Sequence, residues 1–417
     1  MVGIGLAAIG IVVGAMAAYL AVAPQRSVKR LGSIERFRRT RGHMKRHIGD
    51  LYERTLFEQQ RYRSDKELPI LTCNHWIPRE PLPLDEVQLL MDAADPGDLR
   101  LARSKVRRHL PVGNDGKQAE TYSDVVYLYD RPQVWFDSCA YRLMAVTPTV
   151  GPRQPGEPSI TLTFSTARYF DGQDTAEYLG HEVADRDMSG KARLTDGKYR
   201  KWLSEPFSFE RRAALPGVST LTIRRSDQRA FFFMHRRDPE KVAVAMNATN
   251  VTPAGEFQPH DDVLPVWRTD LNIWNNMMRE YAEEFLGRAE SMGRGGSVVD
   301  YQHQEPYRSF VKALRDGNIT IRFLGIGLDP LTWKPEICVV CIWKDSVFDR
   351  IFSDMVQVNE EGVLVVGKRA KHGYQGLEFT AANVQEYAAA PTTYPPGRVC
   401  LTLAWRWRQL LDIPAAG

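Results

Sequence analysis

Within nine residues, Arg279 to Gly287 (REYAEEFLG), the chain gathers three glutamates beside one arginine. On a helix, Glu280, Glu283 and Glu284 are related by i, i+3 and i+4, which turns their carboxylates toward one face. Like charges so placed destabilise a helix by roughly 0.2–0.5 kcal/mol per pair. Arg279 is the only base nearby before Arg288. A hard cation such as Mg2+ (or Mn2+) would relieve the repulsion, because it takes carboxylate oxygens and keeps positions for water and phosphate. An ordinary solvated helix face is the competing reading.

The segments upstream must position such a face. Val218–Asp238 (VSTLTIRRSDQRAFFFMHRRD) alternates apolar residues, breaks at Ser226–Arg229 and resumes, which predicts strand, turn and strand. Pro253-Ala254-Gly255-Glu256 follows as a loop. Leu271, Ile273, Trp274, Met277, Met278, Tyr281 and Phe285 then recur at helical spacing. Further strands are expected at 318–333 and in Glu336–Trp343 (EICVVCIW), and helical signals recur at 345–357, 380–390 and 400–411. Cys338 and Cys341 form a CxxC, but on a buried strand residues three apart face opposite ways, which argues against a metal or redox pair. Five cysteines at wide spacing build no disulfide framework.

These features together resemble the Nudix hydrolase family. The run REYAEE matches the core of that family's motif, the Arg236-Arg237 pair looks like the end of its strand, and the loop at Gly255 looks like the one ahead of its catalytic helix. The resemblance spans Val218 to about Trp343. It implies that Glu280, Glu283 and Glu284 hold Mg2+, that Glu283, Glu284 and Arg279 are catalytic, and that Arg236, Arg237 and Gly255 meet the substrate. It also implies hydrolysis of a nucleoside diphosphate derivative, with a nucleotide-type small molecule as ligand. The alternative is an inactive Nudix-fold protein that senses a nucleotide or serves as a scaffold. The pattern departs where the family places its motif glycine and first glutamate: this chain has Pro265 and Leu271. Glu256, Asp261, Asp262 or Asp270 could replace the glutamate.

Charge adds a second theme. Between Arg26 and Arg46 nine Lys/Arg face one acid, Glu35, so this stretch carries +8 of an overall +4 and the remainder is acidic. No protein-wide nucleic-acid surface follows from that. Met1–Ala23 contains no charged side chain and is long enough for a membrane helix, with the basic cluster after it. A cleavable signal peptide is the rival, but no Lys or Arg precedes the apolar run. The expectation is a single-pass anchor in the cell membrane, the bulk of the chain on the cytoplasmic side, and a basic neck against anionic lipids.

Between residues 66 and 214 the expected elements are strands at 67–77, 122–136 and 160–170 and helices at 84–94 and 174–188, the last with Asp174 as N-cap. His181 and Glu182 are expected as a polar pair on that helix's exposed face. The predicted fold class is α+β: a transmembrane helix (1–23), a basic helical segment (24–65), a middle α/β region (66–214) and a C-terminal Nudix-like mixed-sheet domain (215–417).

Overall fold

The structure, a computed structural model, describes residues 32–92, 99–113, 116–132, 135–151, 156–237, 248–262, 264–288, 299–356, 362–365, 369–370, 373–374 and 376–414. Its largest sheet has seven strands. At its centre Pro335–Lys344 pairs in parallel with Gly217–Arg225 and antiparallel with Ile319–Leu328. Leu82–Pro83 extends one side, and Ala230–Phe232 and Leu377–Glu378 extend the other. Ala254–Glu256 joins the start of Gly217–Arg225 antiparallel.

The near-continuous apolar run of Pro335–Lys344 has a simple cause: both faces of this strand are covered. Ile337, Val339, Cys341 and Trp343 enter one core with Met277 and Phe310 from helices Ile273–Glu280 and Tyr307–Arg315, and with Tyr281 and Phe352, which follow the helices Ile273–Glu280 and Asp345–Ile351. Cys338, Val340 and Ile342 enter a second core with Val384, Val399 and Leu403 from helices Ala381–Ala389 and Pro395–Arg406. The two cysteines of the CxxC therefore lie in separate cores, as their spacing predicted.

A second sheet places Ile160–Arg168 between Val87–Met91, in parallel, and Cys139–Pro148, antiparallel. Two expectations reverse here. The predicted helix over 84–94 is a short turn followed by the edge strand Val87–Met91, whose apolar residues are used at period two in pairing. The predicted strand over 122–136 is instead helix Tyr122–Asp130. Thr121 accepts the Asp124 N–H as N-cap, and Tyr122, Val125 and Val126 are buried at helical spacing.

The fold is thus mixed α+β with several sheets, and the membrane architecture is not part of it. Among the described residues no helix is long and apolar enough to cross a membrane. The expected span, residues 1–23, lies outside the described residues. Several cations of the basic neck, where it is described, are paired within the protein itself. Residues 32–46 are helical. Arg41 is buried against Asp130, Lys45 reaches the same carboxylate at 3.2 Å, and Arg36 pairs with Asp185 at 2.7 Å. His43 and Arg54 both reach Asp187. These pairings turn Arg41, Lys45, His43 and Arg54 to the protein's own carboxylates, which corrects the lipid partnership. The single-pass location is corrected by the lack of a membrane-crossing helix among the described residues.

Candidate functional site

The acidic helix is where the sequence pointed, but its geometry differs from the expectation. Ile273–Glu280 is α-helical, capped by Asn272, whose side chain accepts the Asn275 N–H. Tyr281–Phe285 then widens into a π-helical turn. That widening breaks the i, i+3, i+4 convergence on which a carboxylate cage depends. Glu284 turns inward: Oε2 accepts from the Thr252 hydroxyl at 2.5 Å and Oε1 from the Ala254 N–H at 2.9 Å. Glu280 lies against Gly255, where a Cβ would stand 2.1 Å from Oε1, so a larger residue there would displace the carboxylate. Glu283 is partly exposed.

Arg279 is buried. It donates to Asp270 at 2.6 Å, to the Tyr301 hydroxyl at 2.5 Å and to the Gln258 carbonyl at 2.5 Å. Burial works against its charge, but Asp270 and Tyr301 outweigh that and hold the guanidinium above its usual range. Asp270 also accepts from Tyr301 at 2.8 Å and from the backbone and ring of His260 at 2.9 and 3.0 Å. His260 Nε2 accepts the Val299 N–H, which places the ring proton on Nδ1. The Asp270 carboxyl stays below its usual range although burial pushes it up, chiefly because His260 and Arg279 favour the anion.

The predicted residues are therefore brought together only in part. Gly255 meets Glu280, and Ala254 meets Glu284. Arg236 sits on the strand Met234–Arg237, next to buried His235, and is exposed on the strand's other side. Arg237 is described only as backbone, paired with Gly362. Among the described residues no group of three or more His, Cys, Asp or Glu is arranged to hold a metal ion. The metal cage of Glu280, Glu283 and Glu284 is overturned by that finding and by the donors that occupy Glu284.

A different cluster lies where the helical layer meets the end of the large sheet. Tyr169–Gly172 runs into a second π-helical turn, Gln173–Glu177, and then into helix Tyr178–Met188. The expected N-cap Asp174 is inside this element, buried, and accepts the Ser123 N–H at 2.9 Å. His181 and Glu182, expected on a solvated face, are both buried. Glu182 accepts the Tyr199 and Arg200 N–H groups at 2.8 and 3.1 Å, serving the start of helix Lys198–Leu203. His181 stacks on Phe37, and burial together with nearby Arg41 pushes its pKa down to about 3.

Opposite this turn the sheet presents an acid-rich edge. In-register Glu256, Gly217 and Glu336 lie side by side on three strands. Gly217 is needed there because a Cβ would stand 2.7 Å from the Glu336 carboxylate oxygens. Lys334 reaches Glu256 at 2.8 Å and Glu336 at 3.4 Å. Glu336 also accepts from Ser219 at 3.1 Å and Tyr394 at 3.2 Å. Asp329 accepts the Leu331 and Thr332 N–H groups within the turn before the strand. Burial, with Glu336 adding to it, pushes the Asp329 carboxyl up to about 6.

Between the two walls is a cleft of about 20 Å³, enough for one water-sized group, lined among others by Gln173, Glu177, Glu256, Thr332 and Lys334. Glu177 is deeply buried. Its recorded ion pair, to Arg41 at 3.7 Å, is long, and that guanidinium also serves Asp130 at 2.7 Å and Tyr122 at 2.9 Å. Burial therefore dominates and raises the Glu177 carboxyl to about 7, with Asp329 and Glu256 pushing the same way against Arg41 and Lys334. Gln173, only 4% exposed, has no hydrogen-bond partner for Oε1 among the described residues. Sequence reading missed Gln173, Glu177, Asp329 and Lys334. The alternation of Lys334 and Glu336 ahead of a buried strand was the one visible signal.

No protein-family model matches this chain, and no curated protein matches it either. The resemblance to Nudix hydrolases is thus without support from any relative, and its metal cage is absent from the described residues. The reading as a membrane-anchored Nudix-like hydrolase or nucleotide sensor is withdrawn.

Proposed function

We propose that this chain is a small-molecule-binding protein whose ligand enters the cleft between Gln173–Glu177 and the Glu256–Lys334 edge, with Glu177 exchanging a proton as it does so. The observation that carries this is Gln173 Oε1, a buried acceptor without a partner among the described residues, on the wall of a cleft with room for one polar group. An unmet buried acceptor costs roughly 1–3 kcal/mol. A ligand donor reaching Gln173 would recover that cost. The lining agrees: apolar Ala176, Ala213 and Leu215 alternate with a few converging polar groups.

Acid–base catalysis is the second reading. It is favoured by Glu177, whose value of about 7 suits a group that gives and takes protons at neutral pH. Ligand-observed NMR with a library of very small polar fragments tests the binding reading. Fragments should bind the wild-type chain and lose binding in Gln173→Leu and Glu177→Gln. A library in which every binder is indifferent to both substitutions would refute the cleft as the site.

A further inference from the structure

We propose, resting on the small-molecule reading above, that the group the cleft receives is the primary ammonium of an aliphatic amine. The cleft's polar walls are dominated by acceptors: Gln173 Oε1 and the carboxyls of Glu177 and Glu256, with Asp329 and Glu336 close behind. Against four carboxyls stand the ammonium of Lys334, already held by Glu256 and Glu336, and the more distant Arg41 guanidinium, already held by Asp130. That pairing shows the wall engaging an alkylammonium of the protein's own. An incoming anion would meet a surplus of negative charge.

Size narrows the class. About 20 Å³ takes a group the size of water, which a primary ammonium is, and its three N–H donors match an acceptor-lined wall. A guanidinium or a quaternary ammonium is too large, and a quaternary centre would also call for an aromatic cage. Gly172, Ala176, Ala213 and Leu215 give the approach a narrow apolar side that suits an alkyl stem.

The proton balance follows from the surroundings of Glu177. It faces Arg41 from the 32–46 helix, Asp329 and Lys334 from the turn before the central strand, and Glu256 from Ala254–Glu256. A cation arriving beside it favours the carboxylate, so the Glu177 proton leaves to solvent as the amine binds. Amine affinity should therefore rise as the pH is raised through about 7.

Isothermal titration of the full chain with methylammonium chloride, acetamide and tetramethylammonium chloride, at matched ionic strength, tests this. Methylammonium should bind, release protons in two buffers of different ionisation enthalpy, and weaken by at least about tenfold in Glu177→Gln. The proton-release measurement uses only the wild-type chain, so it stands whether or not the variant folds. Equal binding of tetramethylammonium would overturn the proposal, since a diffuse negative field would explain it. Binding of acetamide but not methylammonium would overturn the amine class and leave the cleft standing. Silence from all three probes would overturn both.

Discussion

Two π-helical turns sit among the described residues, Gln173–Glu177 and Tyr281–Phe285, and each carries two acids. In the second, Glu284 accepts a hydroxyl and a backbone N–H from the adjoining loop, while the neighbouring Arg279 is answered by Asp270. In the first, Glu177 has a distant, shared guanidinium and a carboxyl raised to about 7. The acids are alike; the donors around them are not. Glu284 serves as a bracket between helix and loop, whereas Glu177 is left able to titrate. Conspicuous charge in a sequence marks neither role. The lesson is that donors decide, and donors come from elsewhere in the chain.

Substitutions can break or sharpen this contrast. The largest effect is expected on the bracket side: Arg279→Ala strands Asp270 in the interior and should lower unfolding free energy by about 3–5 kcal/mol in urea. Next, Glu177→Gln should remove a pH slope. The folded carboxyl has its pKa raised to about 7 from an ordinary 4.5. Its stabilising contribution is thus complete below the lower value and is lost as pH rises through the upper one. At about 1.4 kcal/mol per unit the loss approaches roughly 3 kcal/mol, so the variant should gain on the wild type across that window in denaturation at stepped pH. Glu284→Ala takes the acceptor from the Ala254 N–H and the Thr252 hydroxyl and should cost about 2 kcal/mol in urea denaturation. Least of all, Glu283→Gln, on the partly exposed side of the same turn, should change stability by no more than about 0.5 kcal/mol. A neutral-pH slope in Glu284→Ala as steep as that assigned to Glu177 would erase the distinction between the two turns.

Much of the large sheet was legible. The strands at 217–225, 230–232 and 335–344 follow from apolar runs and a turn signal, and the C-terminal helices from their periodicity. Local patterning misled where tertiary partners chose between two readings. Residues 87–91 carry apolar residues compatible with a helix, yet they pair with Ile160–Phe164 as a strand. Tyr122–Asp130 looks β-rich by composition, yet Thr121 caps it and the core takes its helical face. The acidic segment was found as an element and misread as a site, because its donors, Thr252 and the Ala254 N–H, lie about thirty positions away. The cleft was illegible for the same reason in stronger form: its lining is drawn from residues 169–177, 213–215, 256 and 332–334, and no single segment contains its pattern.

The first and last parts of the chain close on each other. Gln59 donates to the Pro330 carbonyl and accepts from Trp333, 271 and 274 positions later, while Arg398 pairs with Glu53 across 345. Tyr394, at the head of the final long helix, packs with Tyr52 and donates to Glu336 at the cleft's acid edge. A ribosome delivers residues 32–59 first; their contacts with Asp130, Asp185 and Asp187 can form midway through synthesis, whereas Glu53 and Gln59 must wait for Arg398, Pro330 and Trp333. The side of these helices that carries Tyr52 therefore stays uncovered until Tyr394 has been made, which leaves an apolar patch open to aggregation through the later part of synthesis.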